Sequence, residues 1–430
     1  LIITTLNKTK FQMAQKSKQW AAIIMMIALF AMIAFVTNLC SPMATIVKNQ
    51  FGASELAGQI GNYANFIAYL VMGIPSGMLI AKLGYKKTAL LALIVGIVGI
   101  VFEYLSGVVG SYVIYLVGAF ISGLCMCMLN TVVNPLLNVL GGGGKTGNQL
   151  IQIGGAANSA AAVAVYILMG ALIGEVTKST GISDATPALI IAGVIFVIAF
   201  VILLFTKIEE PEQAKVELSL ITGALKFRQL SLGALAIFLY MSVEVGTPTY
   251  MISYLQTPEV GLSAGVAGLI ASVYWLMMFV GRSIGGSIGG KVSSRAMVST
   301  VATAAIALLL FGIFAPETMK VTVIGIDWGN LEVIYPQVPV CVLAFILVGL
   351  CTSVMWGGIF NMAVEGLGKY TAIASGIFMT MVFGCAVMVA IQGYVADVTN
   401  YMTSYWVVVF CAAYLLFYAL VGSRVTKRSE

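Results

Sequence analysis

The stretch KIEEPEQAKVELSLITGALKFR, residues 207–228, decides how the chain divides, because its IEEPEQAKVE segment is the most polar run in an otherwise apolar sequence. Before it, apolar runs broken by charged or turn residues predict crossings at 20–47, 56–81, 88–109, 111–140, 148–175 and 186–206. After it, six more are predicted at 229–256, 262–290, 296–314, 336–364, 371–397 and 403–423. A helix needs about 20 apolar residues to span hydrocarbon, which these runs supply. The pattern predicts an all-α membrane protein with twelve transmembrane helices in two six-helix bundles. The divisions are a tail at 1–19, a bundle at 20–206, the linker at 207–228, a second bundle at 229–423 and a tail at 424–430.

Composition agrees with a chain whose solvent is the bilayer. Of 430 residues, 60% are hydrophobic and 9% charged, where a soluble protein carries about 25% charged residues. Mean hydropathy is +1.03. These values exclude a soluble enzyme or a DNA-binding domain. There is no histidine, which removes imidazole relays, serine-type triads and imidazole metal sites and leaves carboxylates for any proton chemistry. The seven cysteines, Cys40, Cys125, Cys127, Cys341, Cys351, Cys385 and Cys411, sit inside apolar runs without CxxC spacing and read as packing residues. No cofactor or metal is expected.

The net charge of +6 reports orientation rather than a nucleic-acid partner. With the N-terminus cytoplasmic, the outer loops hold only Lys48, Lys178 and Lys320, and the other 19 of 22 Lys and Arg fall inside. That bias predicts both termini on the cytoplasmic side of an inner or plasma membrane. Leu1 to Gln12 lacks the apolar core and cleavage site of a signal peptide, and Met13 is a candidate start.

The halves echo one another. Gly73, Gly77 and Lys87 recur 208 residues later as Gly281, Gly285 and Arg295, while Gly154 and Glu175-Val176-Thr177 recur 222 residues later as Gly376 and Asp397-Val398-Thr399. Parallel duplication explains both offsets, and transporters built from repeats bind substrate where the repeats meet. Gly281, Gly285 and Gly289 form an i, i+4, i+8 row that reads as close helix packing. GGGGKTG at 141–147 fails the phosphate-loop pattern, which needs glycine at position 139, a valine here, and a preceding strand.

Polar groups are costly in hydrocarbon and normally face a bundle interior or a watery cavity. Helix one carries Asn38, Ser41 and Thr45, helix two Asn62 and Asn65, helix four Asn130 and Asn134, and helix five Gln149, Gln152, Asn158 and Ser159. The second half adds Tyr240, Glu244, Tyr274, Trp275, Trp356, Asn361 and Gln392. Amides and hydroxyls donate and accept hydrogen bonds, and aromatic rings cover the apolar faces of a pyranose, so the set fits a neutral polyhydroxylated solute. The other reading of each residue is interhelical glue. Pro42, Pro135 and Pro248 lack the N–H that would bond the carbonyls of Asn38, Thr131 and Glu244. Of sixteen acidic residues, only Glu244 is expected near the middle of a crossing. Arg282 is the most deeply placed base, and Glu244 is either its ion-pair partner or a titrating carboxylate.

LNTVVNPLLNVLG at 129–141, NSAAA at 158–162, the Gly281-Arg282 pair and SVMWGGIFNMAVEGLGKYTAIASGIFM at 353–379 resemble the fucose-proton symporter family of the major facilitator superfamily. The resemblance runs from helix one to helix twelve and implies the major facilitator fold. It implies transport of hexoses or deoxyhexoses with protons or, in some branches, sodium, and places Asn38 and Asn158 on positions that contact sugar. Two family carboxylates fall on the neutral Ser41 and Asn130, and the loop GMLIAKLGYKK at 77–87 has Ala81 where an aspartate is usual.

The expected protein is therefore not an enzyme, since Glu244 has no partner acid, nucleophile or metal cluster. It is a monomeric alternating-access transporter taking up a neutral hexose or deoxyhexose with protons. Sodium coupling, passive facilitation and another small polar solute stay open. The expected substrate-binding residues are Asn38, Asn130, Gln152, Asn158, Tyr240, Trp275, Trp356 and Asn361, with Glu244 coupling the proton.

Overall fold

A computed structural model describes residues 2–52, 55–142, 144–173, 180–208, 210, 219–289, 291–327, 330 and 332–425. Most of the polar centre of the 207–228 linker, the Glu175-Val176-Thr177 repeat match and Lys178 lie outside the described residues, as do the side chains of Cys40, Ser41, Pro42, Thr45, Lys48 and Asn62.

Twelve described helices are long and apolar enough to cross a membrane. They are α1 (Ile2–Phe51), α2 (Glu55–Leu83), α3 (Tyr85–Val109), α4 (Tyr112–Leu140), α5 (Gly144–Ile173) and α6 (Ile182–Phe205) in the first half. The second half has α7 (Arg228–Leu255), α8 (Ala264–Ile288), α9 (Ser294–Phe314), α10 (Cys341–Val364), α11 (Ile373–Val398) and α12 (Tyr401–Gly422). In α1 the membrane-length stretch is Trp20–Leu39. The protein is a multi-pass membrane protein of twelve helices, as its apolar runs predict.

Small residues set the packing, because lipid offers no hydrophobic drive between helices and backbone approach supplies dispersion contact instead. A Cβ on Gly118 of α4 would lie 2.8 Å from the Glu103 backbone nitrogen of α3. Glu103 is itself 5% exposed and accepts a 2.9 Å hydrogen bond from Ser122 Oγ. It is thus a second buried acid besides Glu244. Its position near the end of the crossing hid this, since burial there comes from α4 rather than from depth.

The two halves meet along α2 with α11 and α5 with α8. These four helices carry the repeat-matched glycines Gly73, Gly376, Gly154 and Gly281. At one seam a Cβ on Gly376 would stand 3.1 Å from the Gly73 carbonyl oxygen, and at the other Gly155 lies under Arg282. The pairing of α2 with α11 and of α5 with α8 is what a duplicated six-helix unit produces when its copies are joined across a pseudo-twofold axis.

One end of the bundle carries the linker. There the Glu210 carboxylate accepts from the Tyr85 and Lys86 backbone nitrogens at 2.8 and 2.9 Å, capping α3. Gly84 has φ 84°, and its missing side chain leaves room for that carboxylate. Lys86 Nζ donates to the Leu204 and Thr206 carbonyls, 2.9 and 2.8 Å away, where cations favour a helix C-terminus. The opposite end carries two small antiparallel ladders between α9 and α10, not foreseen as structured. They are β1 (Lys320–Thr322) with β4 (Gln337–Pro339), and β2 (Gly325–Asp327) with β3 (Glu332–Ile334).

Candidate functional site

A cavity lies between the halves, bounded by α1, α2, α4 and α5 on one side and α7, α8, α10 and α11 on the other. Out to its mouth, open solvent included, it holds about 1110 Å³ of empty space. Odd-numbered helices run from the linker end to the ladder end. Lining residues toward the ladder end, Thr37, Asn38, Tyr166, Thr249 and Ile252, are partly exposed, whereas Ile151, Gln152, Arg282 and Val382 on the linker side are buried. The cavity therefore opens toward the ladder end. On the linker side the halves are joined by the Gly73–Gly376 contact and by Trp356 Nε1 donating to Asn134 Oδ1 at 3.4 Å.

The first half presents its amides from unbroken helices. Asn38 Nδ2 donates to the Ala34 carbonyl at 2.8 Å, Asn130 Nδ2 to the Tyr69 hydroxyl at 2.9 Å and Asn158 Nδ2 to the Phe30 carbonyl at 2.9 Å. Gln152 Nε2, Thr37 Oγ1 and Trp275 Nε1 have no hydrogen-bond partner among the described residues, although all three residues line the cavity. A buried polar atom left unpaired costs about 1–3 kcal/mol, so each of these three atoms has a hydrogen bond to gain.

In the second half the helices break at cavity depth. A π-type segment, Ser242–Gly246, interrupts α7; a turn at Ser353–Val354 interrupts α10; and a 3-10 turn, Met381–Phe383, interrupts α11. Pro248 explains the first, since it gives no N–H to the preceding turn. The Val243 carbonyl is served instead by Thr247 Oγ1 at 2.8 Å and the Tyr274 hydroxyl at 3.1 Å. Irregular backbone at membrane depth persists where it is buried or lines a cavity, and π segments concentrate at functional sites.

Glu244 projects from that π segment. Its Oε1 lies 3.4 Å from Arg282 Nη2, with the two side chains 12% and 7% exposed. Arg282 reaches much further: Nη1 donates to the Gly155 carbonyl at 2.8 Å, Ser159 Oγ at 2.8 Å and Asn158 Oδ1 at 3.3 Å, and Nε to the Ser353 carbonyl at 3.2 Å. Of the two readings open from sequence, the ion pair is present, and the same arginine also joins the halves.

Seven expected site residues line this one cavity: Asn38, Asn130, Gln152, Asn158, Glu244, Trp275 and Trp356. Two do not. Tyr240 is fully buried behind Trp356, ring centroids 6.0 Å apart, and its hydroxyl points to the Thr352 carbonyl at 3.4 Å. Asn361 lies on the linker side of the cavity, where its Nδ2 donates to Ser294 Oγ at the start of α9, 3.0 Å away. It is one helical turn past Gly357, and that turn carries it beyond the floor. Sequence reasoning missed Thr37, Tyr69 and Tyr166 and the Ser353 carbonyl. Tyr69, four residues after Asn65, carried a usable signal; a backbone carbonyl carries none.

The Major Facilitator Superfamily profile matches residues 25–390. The chain is 25% identical over 429 residues to the glucose/galactose transporter of Brucella abortus, covering 98% of this chain and 99% of that protein. It is 22% identical over 424 residues to the L-fucose-proton symporter of Escherichia coli, covering 92% of each. Its fold superposes on the crystal structure of the fucose transporter in the outward conformation with a TM-score of 0.76 at 20% identity, covering 95% of this chain and all of that one.

Proposed function

This chain belongs to the major facilitator superfamily, and we propose that within it the protein carries a neutral hexose or deoxyhexose across the membrane by alternating access, in symport with protons. The observation that carries the reading is the cavity between the halves. It balances one buried cation, Arg282, against one buried anion, Glu244, and lines the rest with amides, aromatic rings and three unpaired polar atoms. A charged solute would unbalance it; a polyol finds partners. The relatives named for sugars, and the one named for proton symport, support the same reading.

Glu244 is the proposed proton carrier, and the Arg282 guanidinium beside it favours a proton over sodium, because a retained metal cation would sit against a fixed positive charge. Trp275, Trp356 and Gln152 are the proposed sugar contacts that close the site from both halves. The protein works as a monomer in an inner or plasma membrane, with both termini and the linker cytoplasmic and the ladders outside, in line with the 19 to 3 distribution of Lys and Arg.

Uptake of D-glucose, D-galactose and L-fucose into proteoliposomes, with and without an inward pH gradient, tests this. Accumulation of one of them that a proton ionophore abolishes is the expected result. Equilibration indifferent to both pH and sodium identifies a facilitator, and no flux of any hexose overturns the sugar reading. Cysteines placed in the linker of a variant without native cysteines should resist an impermeant thiol reagent in intact cells, while cysteines in the ladder loop react.

A further inference from the structure

Glu103 is a buried acid that the cavity leaves unused. It lies on α3 about two helical turns before Gly110, whose φ of 69° ends that helix and turns the chain back into α4. The two helices run back side by side at close range because glycine on each faces the other's polar residue. A Cβ on Gly99 would stand 2.8 Å from the Ser122 backbone nitrogen, and one on Gly118 would stand 2.8 Å from Glu103 Cγ. The carboxyl is thereby held in the seam between backbones, where Ser122 Oγ, itself fully buried, donates to Oε1 at 2.9 Å. Ser106 Oγ closes the turn beyond it by donating to the Glu103 carbonyl at 2.6 Å.

Among the described residues no cation answers this acid. On α3 itself Tyr104 is exposed, and Lys86 and Lys87 stand at the linker end, about four helical turns away. From α4 the ionisable groups are Tyr112, against Phe51, Tyr115, against Gly61, and Cys125, against Gly96. The charged residue of α6 is Asp184, a second anion, whose carboxylate accepts from the Gly181 nitrogen at 2.8 Å. α2, the remaining helix against α3, has its described charge, Lys82, at the linker end. A lone carboxylate in such a seam is too costly to keep, and the group takes a proton instead. With Ser122 donating to Oε1, that proton rides on Oε2.

We propose that Glu103 is a second proton-binding site, apart from the cavity, which keeps α3 and α4 closed on one another while it holds its proton. When the medium at the ladder end turns alkaline, the O–H bond breaks and the proton passes to water there. The anion left behind has one hydrogen bond and needs water, which the close approach at Gly99 and Gly118 does not admit, so the seam loosens. α4 also carries Asn130 into the cavity, and a loosened seam frees a helix that lines it. Glu103 thus makes the first half sensitive to outer pH without taking part in coupling.

Infrared spectra of the full chain in lipid, taken from mildly acidic to alkaline buffer, read the C=O stretch of a protonated carboxyl directly. Glu244→Gln should keep such a band at neutral pH and lose it reversibly in alkali, and adding Glu103→Gln should remove it. Heat unfolding of the same two proteins gives the second readout. Folded Glu103 holds a proton that a solvated, unfolded glutamate has already released at neutral pH, so the folded state loses ground as pH rises, by up to about tenfold in the folded-to-unfolded ratio per pH unit. Glu103→Gln keeps the shape and the acceptor for Ser122 but cannot ionise. Its melting temperature should match its parent's in acid and exceed it by a margin that grows in alkali. A band that is absent at neutral pH or survives Glu103→Gln, or a melting difference that ignores pH, overturns the proposal. If Glu103→Gln does not fold, Ser122→Ala takes its place: it removes a hydrogen bond that favours the anion, so the band should persist into more alkaline buffer, and an unmoved band overturns the proposal equally. Neither readout uses sugar or a gradient, so both stand apart from the hexose reading.

Discussion

The two halves share an architecture and divide the labour at the cavity differently. The first half offers side chains from α1, α2, α4 and α5, which run unbroken past the site despite Pro75 and Pro135. The second half offers backbone as well: α7, α10 and α11 all change their helical winding at cavity depth. Both buried charges of the site, Glu244 and Arg282, belong to this second half. A continuous helix holds an amide at a fixed height and angle, as selective recognition needs. An interrupted helix frees carbonyls and can change winding at small cost. On the reading proposed above, the first half serves recognition alone at the cavity, while the second adds Trp275 and Trp356 to recognition and also holds the charge pair.

The largest effect expected from this division is at Glu244. Glu244→Gln keeps the shape and removes the charge, so hexose exchange should persist while a pH gradient no longer drives accumulation. Gradient-driven uptake against counterflow in the same vesicles measures the split. Accumulation that survives in the variant would put the proton site elsewhere, and Asn130→Leu abolishing it would move coupling into the first half and break the comparison.

Next is the seam itself. A Cβ on Gly73 would lie 2.7 Å from Thr380 Cα, so Gly73→Leu should force α2 from α11 on the linker side. Overpacking of this kind costs about 1–3 kcal/mol, which at about 1.4 kcal/mol per tenfold shifts the balance of the two facing states roughly 5- to 150-fold. A cysteine at Ile151, in the chain without native cysteines and labelled from the linker side, should react faster, and hexose binding from the ladder side should weaken. Unchanged labelling would mean that this seam does not gate the cavity.

Recognition is sharpened by Gln152→Ala and Trp275→Phe. Each removes a group whose buried N–H has no hydrogen-bond partner among the described residues. Hexose affinity should fall by about 5- to 150-fold, the equivalent of about 1–3 kcal/mol for one lost buried hydrogen bond, read by titration calorimetry. Asn158→Ala should also weaken binding, but through Arg282 and the Phe30 carbonyl that Asn158 holds, so its pH profile should move as well. If Gln152→Ala and Asn158→Ala both bind as the parent does, the first-half amides serve only to join helices.

The smallest effect belongs to Asn361→Ala. Its partner is Ser294 rather than the cavity, and hexose affinity should stay within about twofold while stability falls by about 0.5–1.5 kcal/mol. A larger loss of affinity would draw α9 into the site.

The sequence by itself determined the twelve crossings and most of the polar residues brought to one cavity. Hydropathy is a sum over neighbours in the chain, and an amide in hydrocarbon announces itself by its cost wherever it folds. The tertiary structure alone decided which of those groups are spent and which are open. Asn158 is tied to Arg282 and Gln152 is not, Tyr240 stands behind Trp356, and Asn361 falls past the floor. It also decided that Glu103 is buried, and that Arg282 is bonded to both halves at once. These outcomes depend on distances between helices far apart in sequence, where one helical turn or one missing Cβ moves a partner in or out of hydrogen-bond reach, and no local pattern encodes such distances.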